Sequence, residues 1–238
     1  MQFNPSFASR GSDFKANSIT SSVLRVTGVH FNSIETVREI CISSAESDEA
    51  EKEIRRLAPR NILTGTYTTG CGILEAFART MCGGRFAETR IPFVQGMPLF
   101  QKPVAYLSVL LNSEAHEKAV RQSGDVDRYF NEVFDSTGGR SFFTMLNGYI
   151  GLALQYARLG DHVCVLLGCS SPMILRSIED DHYTVVDQSY VYGLIEVEAL
   201  LEPLPLGLTQ MEGLDNGDSL SNLVFVNSSA EQVYYGDP

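Results

Sequence analysis

Apolar and polar positions change period once along this chain. Between about residues 33 and 137 they recur mostly at helical spacing, and from residue 140 they alternate or cluster in short runs. In CGILEAFARTMCGG, Ile73, Leu74, Phe77 and Met81 share one helical face, and Gly83-Gly84 ends the pattern. Ser47-Asp48 is placed to cap a charged helix, EAEKEIRRLA. Its Glu51/Arg55 pair marks a solvated face, and Pro59 stops it. Helical patterning returns over 104–122 and 125–135, with Gly124 between and Gly138-Gly139 at the end. Residues 60–70 and 91–103 read as loops.

Strands flank this middle. VLRVTGVHF (23–31) alternates and is β-branched, and a short helical stretch is predicted from Ser33 and Ile34. After Arg140, SFFTML, YIGLALQ, HVCVLLG, PMILRS, HYTVVDQ and YVYGLIEV are short β-rich runs separated by turn residues. Such close spacing predicts a compact barrel or curled sheet. Residues 202–222 are rich in Pro, Gly and Asp and read as a mobile segment. LVFVNSSAEQVYYGDP (223–238) reads as a terminal hairpin with Asn227 to Glu231 at its turn. The fold class is therefore α+β, a single unit over 1–238. A helical middle region (33–137) packs on a small C-terminal β-barrel or curled antiparallel sheet (140–200), joined by the early N-terminal strand.

Charge and cysteine usage narrow the partners. The chain has 238 residues and a formal net charge of −11, which repels phosphate backbones and anionic lipid. No nucleic-acid or membrane partner is expected. The opening MQFNPSFASRGSDF lacks the apolar run of a secretory signal, and no stretch reaches membrane-spanning length. The five cysteines are odd in number, which fits free thiols in a reducing compartment. A soluble cytoplasmic chain is the expectation.

Familiar catalytic groupings do not assemble on paper. Cys164 and Cys169 have no matching Cys/His pair at zinc spacing. Glu179-Asp180-Asp181-His182 falls between two strands without the ligand spacing of a calcium loop. Gly65 and Gly70 are spaced as in a phosphate loop, but no Lys follows. A triad of Cys169, His182 and Asp187 lacks a nucleophile elbow. Neither a metal nor a cofactor is expected. What remains is an aromatic set in the β-rich third: Phe142, Phe143, Tyr149, Tyr156, Tyr183, Tyr190 and Tyr192. Alternation puts Tyr190 and Tyr192 on one face. These side chains either fill a core or line an apolar pocket with phenolic tips.

GRSFFTMLNGYIGLALQYARLGDHVCVLLGCSSPMILRS, followed by HYTVVDQSYVYGLIEVEAL, resembles the C-terminal region of fungal heterokaryon-incompatibility (HET) proteins. FASRGS with VLRVTGVHFNSI is similar to that family's strand before its helical region. LEAFARTMCGG is similar to one of its helices, and VNSSAEQVYYGDP to its common terminus. Departures are Phe77-Ala78 in place of an aromatic-Arg pair, Ala153-Leu154 in place of Gly-Pro, and Glu196-Val197-Glu198 in place of Asp-Gly-Glu. The Trp-containing N-terminal HET domain is not found, so the piece is not expected to trigger cell death by itself.

The resemblance implies two functions. The first is a cofactor-independent cyclase of fungal secondary metabolism, acting by Diels–Alder-type cyclisation of an apolar terpenoid or polyene. Such a reaction needs a dry, shaped pocket and one or two hydrogen-bond donors on a carbonyl. The candidate catalytic donors are Tyr149, Arg176, Tyr190 and Tyr192. Arg140 would anchor a carboxylate, with Phe142 and Phe143 as further substrate-binding residues. Packing alone, or pairing of Arg176 with an acidic neighbour such as Asp187, is the competing account of these side chains. The second function is a binding module that engages a protein partner in non-self recognition, through an exposed apolar patch rather than an enclosed cavity.

Overall fold

The computed structural model describes residues 19–20, 23–43, 48–86, 100–112, 124–166, 169–178, 182–194, 208–215 and 223–227. Among the described residues four helices occupy the middle of the chain: α1 (Asp48–Leu57), α2 (Ile73–Met81), α3 (Gln101–Leu111) and α4 (Gly124–Thr137). Helix α1 begins with Asp48, Glu49 and Glu51 and ends with Arg55 and Arg56, which matches the sign of the helix dipole at both ends. Its Ile54 and Leu57 join Phe77, Met81, Leu107, Tyr129, Phe130 and Val133 in one buried cluster.

The strands are β1 (Ile19–Thr20), β2 (Val23–Glu39), β3 (Arg140–Met145), β4 (Ile150–Leu154) and β5 (His162–Leu166). They continue with β6 (Met173–Ser177), β7 (His182–Gln188), β8 (Tyr190–Val191), β9 (Leu208–Asp215) and β10 (Leu223–Asn227). The described pairings are all antiparallel. Strand β2, 17 residues long, organises them. Val23–Val29 pairs with β9, Gly28–Ser33 with β5, and Ile34–Glu39 with β3. Register shifts between His30 and Asn32, and between Ile34 and Thr36, bend the strand where it exchanges partners.

From β2 the ladder runs through β5 and β6 to β7. It then returns to β2 by two routes. One passes through β10 and β9. The other passes from β8, just beyond Ser189, through β4 and β3. Strands β2, β5, β6 and β7 thus form a wall with a curled sheet on either side. Alternation along β5 shows the two faces. Val163 and Val165 join Ile34, Phe143, Met145, Ala153, Ile174 and Val191 in one cluster, whereas Cys164 and Leu166 join Leu175 in another. A third layer forms on the opposite face of β3 and β4, where Phe142, Ile150 and Leu152, with Tyr190 of β8, pack against the helices.

The α+β class holds: a helical middle rests on a barrel-like antiparallel sheet that the early strand joins. Several boundaries differ. The helix expected from Ser33 and Ile34 is strand, because the edge of β3 pairs with this segment and its β-branched Ile34, Thr36 and Val37 suit a pleated surface. Residues 101–103, expected in a loop, begin α3. Pro103 lies in the first turn, where no intrahelical donor is lost. Residues 208–215, expected within the mobile segment 202–222, form β9, held on both edges by β2 and β10. Of the terminal hairpin expected over 223–238, residues 223–227 form β10, which pairs with β9 and β7, and the rest lies outside the described residues. Within the run YVYGLIEV, Tyr190–Val191 is strand and the chain turns at Tyr192-Gly193, while residues 195–197 lie outside the described residues. The cap at Ser47, the cluster at 179–181, the helical stretch over 113–122 and residues 228–238 lie outside the described residues.

Candidate functional site

The seven candidate residues fall into three settings. Phe143 is fully buried in the barrel-like core, opposite Gly151 in the register of β3 and β4. A Cβ on Gly151 would stand 2.4 Å from the Phe143 ring, so the aromatic lies directly on glycine backbone. Phe142 points the other way and meets Phe77 edge-on, with ring centroids 5.6 Å apart. Adjacent in sequence, the two phenylalanines serve opposite sides of one sheet.

Tyr149, Tyr190 and Tyr192 gather where the helical layer meets β4 and β8. Their organiser is a residue outside the candidate set, Tyr67. Its hydroxyl donates to the Tyr192 carbonyl at 3.0 Å and accepts from the Ile150 amide at 3.1 Å. Its ring lies 5.5 Å from Tyr149 and 5.7 Å from Tyr192. Tyr149 in turn meets Phe31 of β2 edge-on at 4.8 Å. The loop that carries Tyr67 is seated tightly. Gly193 holds a positive φ of 87°, and a Cβ there would come within 2.5 Å of Thr69. Tyr190 is buried, and its hydroxyl lies where a Cβ on Gly84 would be 2.7 Å away. Burial raises the phenol pKa of Tyr67 and Tyr190 above the ordinary value, and that of Tyr192 to about 12. All three are therefore neutral phenols at neutral pH.

Arg176 and Arg140 occupy the third setting, the ends of the sheet. Arg176 grips Asp161 through Nε and Nη2, each at 2.8 Å, and Nη2 also donates to the Tyr156 carbonyl at 2.8 Å. Asp161 is buried and accepts from the Arg158 amide as well. The acidic partner is thus Asp161 and not Asp187. This planar fork fastens the turn between β4 and β5 onto β6, and it raises the guanidinium pKa. Asp187 instead accepts from the Leu154 amide at 2.8 Å. It is also the opposite charge acting on the buried Arg140, whose pKa burial lowers.

A fourth cluster was not foreshadowed by the sequence. His30 Nε2 on β2 lies 2.9 Å from His162 Nδ1 on β5, and Ser33 Oγ lies 3.3 Å from the same nitrogen. Tyr183 of β7 meets the His162 ring edge-on at 5.4 Å. Burial lowers the pKa of both imidazoles. Neither histidine belongs to a motif, and only the register of two strands 132 residues apart brings them together. Tyr67 is equally silent in sequence, as one aromatic in a Thr/Gly loop.

Among the described residues, no group of three or more His, Cys, Asp or Glu side chains is placed to hold a metal ion. The described cysteines are free thiols, and burial raises the pKa of Cys82, Cys164 and Cys169. A surface groove of about 560 Å³ runs between residues 40–43 and α1, lined by Ile40, Ile42, Lys52 and Arg56 among others. None of the candidate residues lines it. Among the described residues no helix is long and apolar enough to cross a membrane.

The part of the fold from α3 to just beyond β8 has a counterpart among known families. Residues 108–202 match the model of the Het-6 beta-barrel domain, so this stretch is related to the heterokaryon-incompatibility family. No curated protein and no solved structure matches the chain.

Proposed function

We propose that this chain is a protein-binding module of the heterokaryon-incompatibility kind, docking a partner through the turns at the edge of its barrel. One observation carries this reading. Leu146, Tyr156, Leu159 and Ile178 are 66%, 62%, 70% and 53% exposed within the Het-6-like stretch, the first three in turns and Ile178 just after β6. Hydrogen bonds tie those turns together. The Leu146 amide donates to Ser33 O and the Gly160 amide to Ile34 O, while Arg176 joins Tyr156 to the end of β6, two residues before Ile178. Large apolar side chains held outward on braced turns leave water favourably when a complementary surface covers them.

A second reading, cofactor-free cyclisation of an apolar polyene, retains one supporting observation. Tyr149 and Tyr192 are only partly buried around Tyr67, with phenolic hydroxyls able to donate to a carbonyl. The two readings separate in one set of experiments. A photo-crosslinking side chain at position 159 is expected to give discrete protein adducts that are lost with Leu146→Asp, while the same probe at Leu63 gives none. Equal adducts from both positions would count against docking at these turns. Conversion of polyene aldehydes to isomers of unchanged mass, abolished by Tyr149→Phe, would favour the cyclase instead.

A further inference from the structure

We propose that His30 and His162 form a pH-sensitive latch on the seam between β2 and β5, closed when the pair is neutral and opened by acidification. The geometry sets the rule. At 2.9 Å the two facing nitrogens hold a single proton between them, one ring donating and the other accepting. A first added proton can be taken by the donor ring at its far nitrogen, leaving the N–H···N bond intact. A second must enter the accepting nitrogen, which turns the contact into two N–H groups facing each other. The rings cannot then stay at this distance.

The surroundings give little help to a charged pair. On β2, Ser33 offers a hydroxyl to His162. On β5, Cys164 is the register partner of His30, and burial keeps its thiol protonated. On β7, Tyr183 presents a ring edge. Asp161, next to His162, is the one described carboxylate that favours the charged imidazole, and its two oxygens are already engaged by Arg176. Burial dominates, and each histidine resists protonation in the folded state more than in the unfolded chain. The sign follows. The contribution to stability is complete above the unfolded value of about 6.5 and is lost as pH falls below it, because the unfolded chain takes up protons first.

The latch sits where β2 exchanges partners, beside the shift between His30 and Asn32. Opening it would free the middle of β2 at Ser33 and Ile34, on which the Leu146 and Gly160 turns hang. The proposal concerns the seam itself and stands whatever those turns bind.

Hydrogen exchange of the β2 and β5 amides, corrected for intrinsic exchange, reads the seam directly. Between pH 7 and pH 5 the intact protein is expected to open several-fold more readily, because the opened seam takes up protons that the closed one resists. His162→Gln, which removes one titrating ring and leaves His30, is expected to reduce that response. In the unaltered protein, the two imidazoles followed by NMR are expected to titrate below 6.5 in separate steps. Titration of both at or above 6.5 overturns the latch, as does an unchanged pH response in His162→Gln. If that variant does not fold, the imidazole titration of the unaltered protein decides alone.

Discussion

The Tyr67 hydroxyl is the smallest part of this molecule whose loss should be felt widely. It accepts from an amide of β4 and donates to a carbonyl just beyond β8, so one oxygen fastens the loop before α2 to two strands. Tyr67→Phe keeps the ring contacts and leaves a buried amide and a carbonyl unpaired. A loss of about 1–3 kcal/mol is expected, read as a lower denaturant midpoint at unchanged slope. A change within a few tenths of a kilocalorie would show that water replaces the hydroxyl there. No pattern in the sequence distinguishes Tyr67 from the other tyrosines. Its importance comes from Thr69 meeting Gly193, a contact between segments more than 120 residues apart.

At the scale of elements, the turn between β4 and β5 depends on the Arg176–Asp161 fork. Asp161 is 3% exposed at its side chain and Arg176 30%, so the pair is partly shielded from solvent. Arg176→Ala would strand a buried carboxylate. The expected cost is about 2–3 kcal/mol, below that of a fully buried pair because water reaches the vacated side. Arg176→Lys, which keeps the charge but not the fork, should recover only part of it. Equal midpoints for Arg176→Ala and the unaltered protein would remove the fork from the account of this turn. The strands that flank it were legible, since RSFFTM, IGLAL, HVCVL and MILRS are short apolar runs between glycine, proline and asparagine turns. Partners were not legible. Arg176 has Asp161 and Asp187 at similar sequence distances, and only the fold decides between them. The helical reading of Ser33 and Ile34 failed for the same reason: the edge of β3, more than 100 residues away, decides that segment.

For the whole molecule, the chief legible feature was the change of period at Arg140, where α4 gives way to β3. Hidden were the length of β2 and the place of β9, because sequence shows strands but not the edges they will find. Of the candidate site, the aromatics were visible by type. Which of them fill a core was not: Phe142 and Phe143 are adjacent and so face opposite sides of β3, and both sides are covered.

The span of β2 carries a consequence for the stretch that matches the Het-6 beta-barrel. Residues 108–202 contain β3 and β5 but not the strand that lies against both. Cut out alone, that stretch would present bare edges on β3, β5 and β7, a template for association with other copies. Residues 23–39 supplied as a separate peptide should fill the gap in trans, as a donor strand completes a pilin subunit. Mixing the two is expected to convert aggregating fragment into a monomeric one-to-one complex by light scattering. Persistence of aggregates with peptide in excess would show that β9 and β10 are needed as well. In that sense the family-like piece is an unfinished object, and a strand from near the start of the chain is the donor that completes it.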